Sequence, residues 1–235
     1  MQTYFDSTYI WGALPQLLSF LHVTFIVAGL SVLFGTILGF ILAVMKLGTS
    51  TAARKIANGY TTILRCTPSI VLLFLVYYGL PAIASNFGTE LNHLHTSIYV
   101  VITFSLQFGA FMSEVMRTAY EAIDRGQYEA AVSVGLSPAQ AFRRIVLPQA
   151  FVVALPNFGN SLLELMKEGS LAYTIGLVDI MGKASLIISN NYNSHSLEIY
   201  LALSLIYWVL SILIEQFFSK LEKIFSKGKL VIKTT

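Results

Sequence analysis

Long stretches without a charged residue constrain this chain more than any other feature. No Asp, Glu, Lys or Arg occurs between Asp6 and Lys46, and a helix needs about 20 apolar residues to cross a bilayer. Charged residues make up 11% of the 235 residues, against about 25% in soluble domains. The chain therefore belongs in a membrane. Its net charge of +3 is too small to indicate a nucleic-acid partner.

Five apolar runs are candidates for spanning helices. The sequence predicts spans at about 17–45, 66–87, 96–118, 148–168 and 194–218. We expect an all-α membrane protein in which residues 1–235 form a single transmembrane domain. No basic segment precedes the first run, so it is interpreted as a permanent anchor and not as a cleavable signal peptide.

Gly35 and Gly39 lie four residues apart in the first apolar run. This GxxxG spacing permits the close approach of a second helix, although it also arises by chance in glycine-rich apolar helices.

The distribution of basic residues predicts the orientation of the spans. Thirteen of the fifteen Lys and Arg residues follow the first, third and fifth spans. Because cytoplasmic segments are enriched in basic residues, we expect the N-terminus outside and the C-terminus in the cytoplasm. The thirteen positions are Lys46, Arg54, Lys55, Arg65, Arg117, Arg125, Arg143, Arg144, Lys220, Lys223, Lys227, Lys229 and Lys233.

A polar hairpin at 121–148 separates the third span from the fourth. Its first limb is predicted as a helix from about Glu121 to Val134. Gly135 follows, and glycine readily takes the left-handed conformation that closes a helix. The orientation places this hairpin in the cytoplasm, where it could dock in a groove of a soluble partner. An amphipathic loop resting on lipid headgroups is the alternative interpretation.

The second limb of the hairpin has a strong helix-start signal. Ser137 can cap, Pro138 suits the first turn and Gln140 can complete a capping box. We expect this helix to stop at Leu147-Pro148, because proline cannot donate to a continuing helix.

Three charged residues lie at or near membrane depth in the fourth span. Glu164, Lys167 and Glu168 share one helical side, since they are three and four residues apart. Charges at this depth usually face a cavity or one another. Lys167 could therefore meet the carboxylate of a zwitterionic ligand while Glu164 or Glu168 meets its amino group. An internal Glu164–Lys167 ion pair is the alternative.

No enzyme motif stands out. The segment 176–183 resembles a phosphate-binding loop, but five residues, not four, separate Gly176 from Gly182, and Ala184 replaces the Ser or Thr that would bind magnesium. His93 and His95 could hold a metal, yet no carboxylate cluster lies beside them, so a solvated outer loop is the preferred interpretation.

The spacing within the hairpin resembles that of the membrane subunits of bacterial ABC importers, and above all of permeases for polar amino acids. In this pattern Glu-Ala-Ala is followed after three residues by Gly, after nine more by Ile and after one more by Leu-Pro. The resemblance extends over nearly the whole chain. The matching segments are Arg65-Cys66-Thr67-Pro68, Gly109-Ala110-Phe111 with Glu114 and Arg117, Gly126-Gln127-Tyr128-Glu129-Ala130, Leu147-Pro148-Gln149-Ala150 and Lys167-Glu168-Gly169-Ser170-Leu171.

The resemblance implies the type I importer permease fold in a bacterial cell membrane. It implies two permease subunits around a pathway, two ATPase subunits below them and an external solute-binding protein. This chain is then expected to hold no cofactor, because ATP and Mg bind to the ATPase. The implied coupling residues are Glu129, Ala130, Ala131, Gly135, Leu136, Ser137, Arg143 and Arg144. The implied substrate-pathway residues are Glu164, Lys167, Glu168 and Ser170.

Two other function classes compete with the importer. One is a stand-alone secondary transporter or channel, and the other is a membrane scaffold that only recruits a soluble protein. The region from Ser170 to Tyr192 resembles permeases for cystine and related sulfur amino acids, with cationic amino acids and glutamine as alternatives. The sequence is compatible both with a homodimer of this chain and with a heterodimer that pairs it with a sister permease subunit.

Overall fold

The computed structural model describes residues 5–91 and 93–226, and this part of the chain is helical with no strand. Lys227, Lys229 and Lys233 of the predicted basic tail lie outside the described residues. The helices are α1 Thr8–Leu18, α2 Leu21–Leu47, α3 Thr51–Cys66, α4 Ser69–Asn86, α5 Thr96–Glu121, α6 Arg125–Ser133, α7 Pro138–Ala141, a π-helical segment Phe142–Val146, α8 Leu147–Gly169, a 3₁₀ segment Ser170–Ile175, α9 Ile180–Asn190 and α10 Ser196–Ser226.

Among the described residues, five helical segments are long and apolar enough to cross a membrane, as the apolar runs predict. The spanning candidates are Leu21–Leu47, Ser69–Asn86, Thr96–Glu121, Pro138–Ile175 and Ser196–Ser226.

The first apolar run is broken near its start. Residues before α2 form the separate helix α1, which contains Pro15 and ends at Leu18. The segment between the first two predicted spans is itself helical. This helix, α3, begins where the Ser50 hydroxyl accepts a hydrogen bond from the Ala53 amide at 3.4 Å. The Tyr60 hydroxyl donates to the Leu106 carbonyl at 2.9 Å, which fixes α3 against α5.

Glycines allow α2 and α5 to pack at very short range. A Cβ atom built on Gly39 would lie 2.7 Å from Met112 Cβ, and one built on Gly35 would lie 2.9 Å from Phe108 Cβ. On the facing helix, a Cβ on Gly109 would lie 2.9 Å from Leu38 Cδ2. The close approach predicted from the Gly35–Gly39 spacing is therefore confirmed, within one chain.

Two apolar cores support the bundle. One joins α2, α4, α5 and α8, with Leu73, Phe104, Phe108 and Leu165 among its buried residues. The other joins α1, α9 and α10 around residues such as Ile180. The first core holds the helices that lead into and out of the hairpin, so the hairpin is attached directly to this core.

Candidate coupling and transport sites

Local hydrogen bonds define the hairpin. Asp124 caps α6 by accepting a hydrogen bond from the Gly126 amide at 2.8 Å, so the first limb begins at Arg125 and not at Glu121. Gly135 has φ of +92°, the left-handed conformation that the sequence predicts there. Ser137 and Gln140 form the predicted capping box, with the Ser137 amide 2.9 Å from Gln140 Oε1.

The prediction that the second limb stops at Leu147-Pro148 is wrong. The backbone remains helical from Pro138 through a π-helical segment into α8, where Pro148 occupies the first turn. The Leu147 amide donates to the Phe142 carbonyl, five residues back. Proline lacks an amide hydrogen and crowds the carbonyl four residues before it, and a π turn accommodates such a local misfit. The hairpin is thus continuous with a spanning helix.

The residues of the Glu-Ala-Ala segment face different surroundings. Ala131 is buried, with 7% of its surface exposed, whereas Glu129 and Ala130 are exposed. Val134, at the end of the same limb, is 81% exposed. Ala131 therefore packs inside this chain, while Glu129, Ala130 and Val134 remain available to a partner.

The other predicted coupling residues lie on the second limb or beside it. Arg143 and Arg144 are exposed on the π-helical segment, and Leu136 is half-buried next to the turn. The Gln149 amide on α8 donates to Gln127 Oε1 on α6, so the two limbs are joined at their base.

An ion network lies just above the hairpin at the end of α5. Lys46 Nζ is 2.6 Å from Glu114 Oε1 and 2.8 Å from Ser113 Oγ, and the Lys46 side chain is 1% exposed. Arg117 continues the network to Glu114 at 2.7 Å and to Glu121 at 2.5 Å. The network ties the end of α2 to the end of α5. Nothing local in the sequence identifies Glu114 as the partner of Lys46, because the two residues are 68 positions apart.

The charged residues of the fourth span lie on the surface of α8. Glu164 and Lys167 are exposed, and Glu168 and Ser170 are half-buried. Within the described residues, no salt bridge joins Glu164 to Lys167, so the internal pair considered from the sequence does not form in this conformation. The Ser170 hydroxyl donates a hydrogen bond to the Lys167 carbonyl at 2.6 Å.

Two residues that the sequence analysis missed support Glu168. Its carboxylate interacts with the hydroxyl of Ser69, at the start of α4. Ser69 Oγ in turn accepts a hydrogen bond from Gln107 Nε2 at 2.7 Å, and both residues are buried. A glutamine in the middle of an apolar span is the signal that sequence reasoning could have used.

A polar contact closes the opposite end of the bundle. The Asp6 amide donates to Glu198 Oε1 at 2.9 Å, and the rings of Tyr9 and His195 stack at 3.7 Å. The hydroxyl and amide of Thr8 both donate to the Asp6 carboxylate and hold its pKa below the ordinary value. These contacts fasten α1 to the start of α10.

Comparison with known proteins identifies the family. Residues 35–226 match the family of binding-protein-dependent transport system inner membrane components. The chain is 39% identical over 234 residues to the L-cystine transport system permease protein TcyL of Bacillus subtilis (strain 168), covering 100% of this chain and 97% of that protein. It is 35% identical over 201 residues to the arginine transport system permease protein ArtQ of the same organism, covering 86% and 88% of the two chains.

Solved structures agree with this family. The chain is similar to the crystal structure of an amino acid ABC transporter with histidines, with a TM-score of 0.81, 29% identity and coverage of 94% of this chain and 99% of that one. The methionine transporter MetNI in an inward-facing form shares the fold at a TM-score of 0.67 and 18% identity, with coverage of 94% and 99%.

The fold and the function expected from the sequence are both confirmed by these matches. The spans have the type I importer arrangement, and the family works with an ATPase and a solute-binding protein. The chain belongs to the binding-protein-dependent inner membrane components, as a multi-pass permease subunit of an ATP-driven ABC importer for amino acids, in which a separate ATPase subunit hydrolyses ATP.

Proposed function

We propose that the hairpin at 121–148 docks to one of the two ATPase subunits of the importer and is the element through which ATP acts, and that it lies on the cytoplasmic side with the N-terminus outside. The exposure of Glu129, Ala130 and Val134 supports docking in a groove of the partner. The basic residues Arg143 and Arg144 on the second limb agree with the cytoplasmic location.

Each limb of the hairpin leads into a spanning helix. Three residues separate the end of α5 at Glu121 from the start of α6 at Arg125, and α7 continues through the π-helical segment into α8. A displacement of the hairpin therefore moves α5 and α8 together. ATP shifts the permease between its inward- and outward-facing states only if the ATPase binds one of them more tightly.

Val134 carries the first test of docking. Burying a valine side chain contributes about 1.5–3 kcal/mol, and a difference of about 1.4 kcal/mol is tenfold in affinity. We expect Val134→Asp to weaken binding of the purified ATPase at least about tenfold. The measurement is a titration of the ATPase onto permease in lipid nanodiscs.

Val134→Thr is the matched control, since it preserves the shape of the side chain. It is expected to weaken binding much less than the aspartate does. Unchanged ATPase affinity in Val134→Asp would remove Val134 from the interface.

We further propose that Glu164, Lys167, Glu168 and Ser170 line the substrate pathway between this chain and a second permease subunit, either the same chain or a sister. The supporting observation is that Glu164 and Lys167 are exposed on a spanning helix and form no ion pair with each other. Charged groups on a spanning helix are costly unless they face water or a partner. Lys167 is then free to bind a carboxylate, and the two glutamates an ammonium group.

L-cystine or a related sulfur amino acid is the proposed substrate. The relative that is 39% identical over the full chain is a permease for L-cystine, and both chains have nearly the same length. The test is uptake into proteoliposomes that contain the permease, its ATPase and its solute-binding protein. Uptake of cystine that requires ATP and the ATPase supports the proposal. Uptake driven by an ion gradient alone would instead support a stand-alone transporter.

Lys167 makes a sharp prediction for this substrate. A hydrogen bond to a charged group contributes about 1.5–3 kcal/mol, so Lys167→Met is expected to raise the KM for cystine uptake at least about tenfold. Uptake is measured against substrate concentration at saturating solute-binding protein. Lys167→Arg retains the positive charge and should retain most of the affinity; equal KM values in the wild type and Lys167→Met would show that Lys167 does not bind substrate.

A further inference from the structure

One face of α8 exposes a line of polar side chains. Asn157, Asn160, Glu164 and Lys167 are all exposed, and they follow one another at intervals of three, four and three residues. Residues at these intervals lie on the same face of a helix. We call these four residues the polar stripe.

The polar stripe crosses the middle of the bundle. The Phe158 ring packs edge-on against Phe108 with the ring centroids 6.0 Å apart, and Phe108 is the midpoint of the 26-residue helix α5. About two turns further along α8, Leu165 lines the same small cavity as Phe104, which lies nearer the start of α5. The two asparagines beside Phe158 therefore lie near mid-membrane, and the charged half of the stripe lies towards the proposed outer side.

Polar groups at this depth need polar surroundings. Neither Asn157 nor Asn160 has a side-chain hydrogen bond to another described residue. An unsatisfied amide costs several kcal/mol in hydrocarbon. A stripe with two such amides and two charges is therefore not a lipid-facing surface.

We infer that the polar stripe is the wall of a water-filled solute route, and that Asn157 and Asn160 form its cytoplasmic leg, through which a zwitterionic amino acid leaves the charged residues. This inference rests on the proposed function, in which Glu164, Lys167 and Glu168 bind the substrate.

Amide side chains suit an exit route for a zwitterion. Each asparagine presents both donors and an acceptor, so Asn157 and Asn160 can contact the carboxylate and the ammonium group in turn. They carry no charge, and their hold on the solute is weak. Passage requires sites that a solute can leave as well as enter. The charged half of the stripe, Glu164 and Lys167, therefore provides the affinity for the solute, and the amide half, Asn157 and Asn160, allows its release.

The exposed face of α2 provides a contrast at the same depth. Gly35 on α2 touches Phe108, the residue against which Phe158 packs. Ile37, two residues further along α2, is 52% exposed, and its exposed neighbours Phe40 and Ile41 are also apolar. This face suits lipid, so Ile37 is a matched control for Asn157.

The experiment is cysteine accessibility in the assembled importer. The one native cysteine, Cys66, is exposed and is first replaced in Cys66→Ser. Asn157→Cys, Asn160→Cys and Ile37→Cys are then introduced singly, and inside-out vesicles are treated with a charged, membrane-impermeant methanethiosulfonate in the absence of nucleotide. We expect both asparagine positions to be labelled and Ile37→Cys to stay unlabelled. Labelling is expected to stop the ATP-dependent release of cystine that has been loaded, with its solute-binding protein, inside these vesicles.

A kinetic variant separates this role from a structural one. Asn160→Leu should lower the maximal uptake rate at least tenfold and change the KM little, while Asn160→Ser, which retains a polar group, restores most of the rate. All variants are compared at equal amounts of assembled complex.

The outcomes distinguish the inference from the function beneath it. If ATP-dependent cystine uptake persists in Cys66→Ser while neither asparagine position is labelled, or if Ile37→Cys is labelled equally, the stripe does not face water and the inference is overturned. If Cys66→Ser with its ATPase shows no ATP-dependent uptake although the wild type does, Cys66→Thr is used instead as the cysteine-free background for the same three cysteine variants. If neither the wild type nor either cysteine-free background shows ATP-dependent cystine uptake, the proposed function itself is overturned.

Discussion

Gly39→Val is expected to abolish assembly of the folded permease. The new Cβ atom would lie 2.7 Å from Met112 Cβ, 3.1 Å from the Gly109 carbonyl oxygen and 3.2 Å from the Ser113 amide nitrogen. Two of these three atoms belong to backbone and cannot rotate away. Overpacking of a core typically costs about 1–3 kcal/mol and more where nothing can shift, so we expect a loss above about 3 kcal/mol. The measurement is the yield of monodisperse protein in detergent and its thermal unfolding.

Gly29→Val is the matched control, since it makes the same change on the same helix. A Cβ on Gly29 meets no atom within 4 Å. Its thermal stability is expected to stay close to that of the wild type. Equal losses in both variants would mean that valine in α2 is harmful for reasons other than contact with α5.

Glu114→Leu is expected to produce the second large effect. Lys46 is almost fully buried, and Glu114 is its one salt-bridge partner in the described part of the chain. Removing the partner of a buried charge leaves that charge uncompensated. We expect a cost of about 3 kcal/mol, the lower end for a buried pair, because the Glu114 side chain is 24% exposed. The free energy of unfolding in mixed detergent micelles should fall by this amount. ATP-dependent uptake should fall as well, because α2 is no longer fixed to the end of α5.

Two further variants test this explanation. Glu121→Leu removes the exposed end of the same network, where an ion pair contributes at most about 1 kcal/mol. The double variant Lys46→Met with Glu114→Leu removes the buried charge together with its partner and should regain most of the stability. A double variant as unstable as Glu114→Leu alone would assign the loss to packing and not to charge.

Local sequence signals predict the membrane architecture well. Apolar runs locate the five spans because a helix that crosses hydrocarbon must be largely apolar. The turn at Gly135 and the capping box at Ser137 could also be predicted, since each depends on residues within a few positions. The GxxxG pattern in α2 indicates close packing but does not say that α5 is the partner.

Features set by distant contacts could not be read in the same way. α3 carries three basic residues and is amphipathic, so the sequence alone does not show that it packs against α5. The burial of Lys46 depends on Glu114, far along the chain. Pro148 is a helix breaker by local rules, but a wide turn before it lets the helix continue. The polar stripe has the correct period in the sequence, yet its exposure follows only from how α8 packs.

The π-helical segment between the hairpin and α8 allows α8 to rotate about its own axis. Each residue of an α-helix accounts for about 100° of rotation and 1.5 Å of rise. If the wide turn at Phe142–Val146 tightened into ordinary α-helical geometry, α8 would rotate about its own axis by roughly 100°, the rotation of one residue. It would shift along that axis by only about 1.5 Å. A displacement of the hairpin would then exchange the side chains that α8 presents to the proposed solute pathway by rotating this one helix, without tilting it.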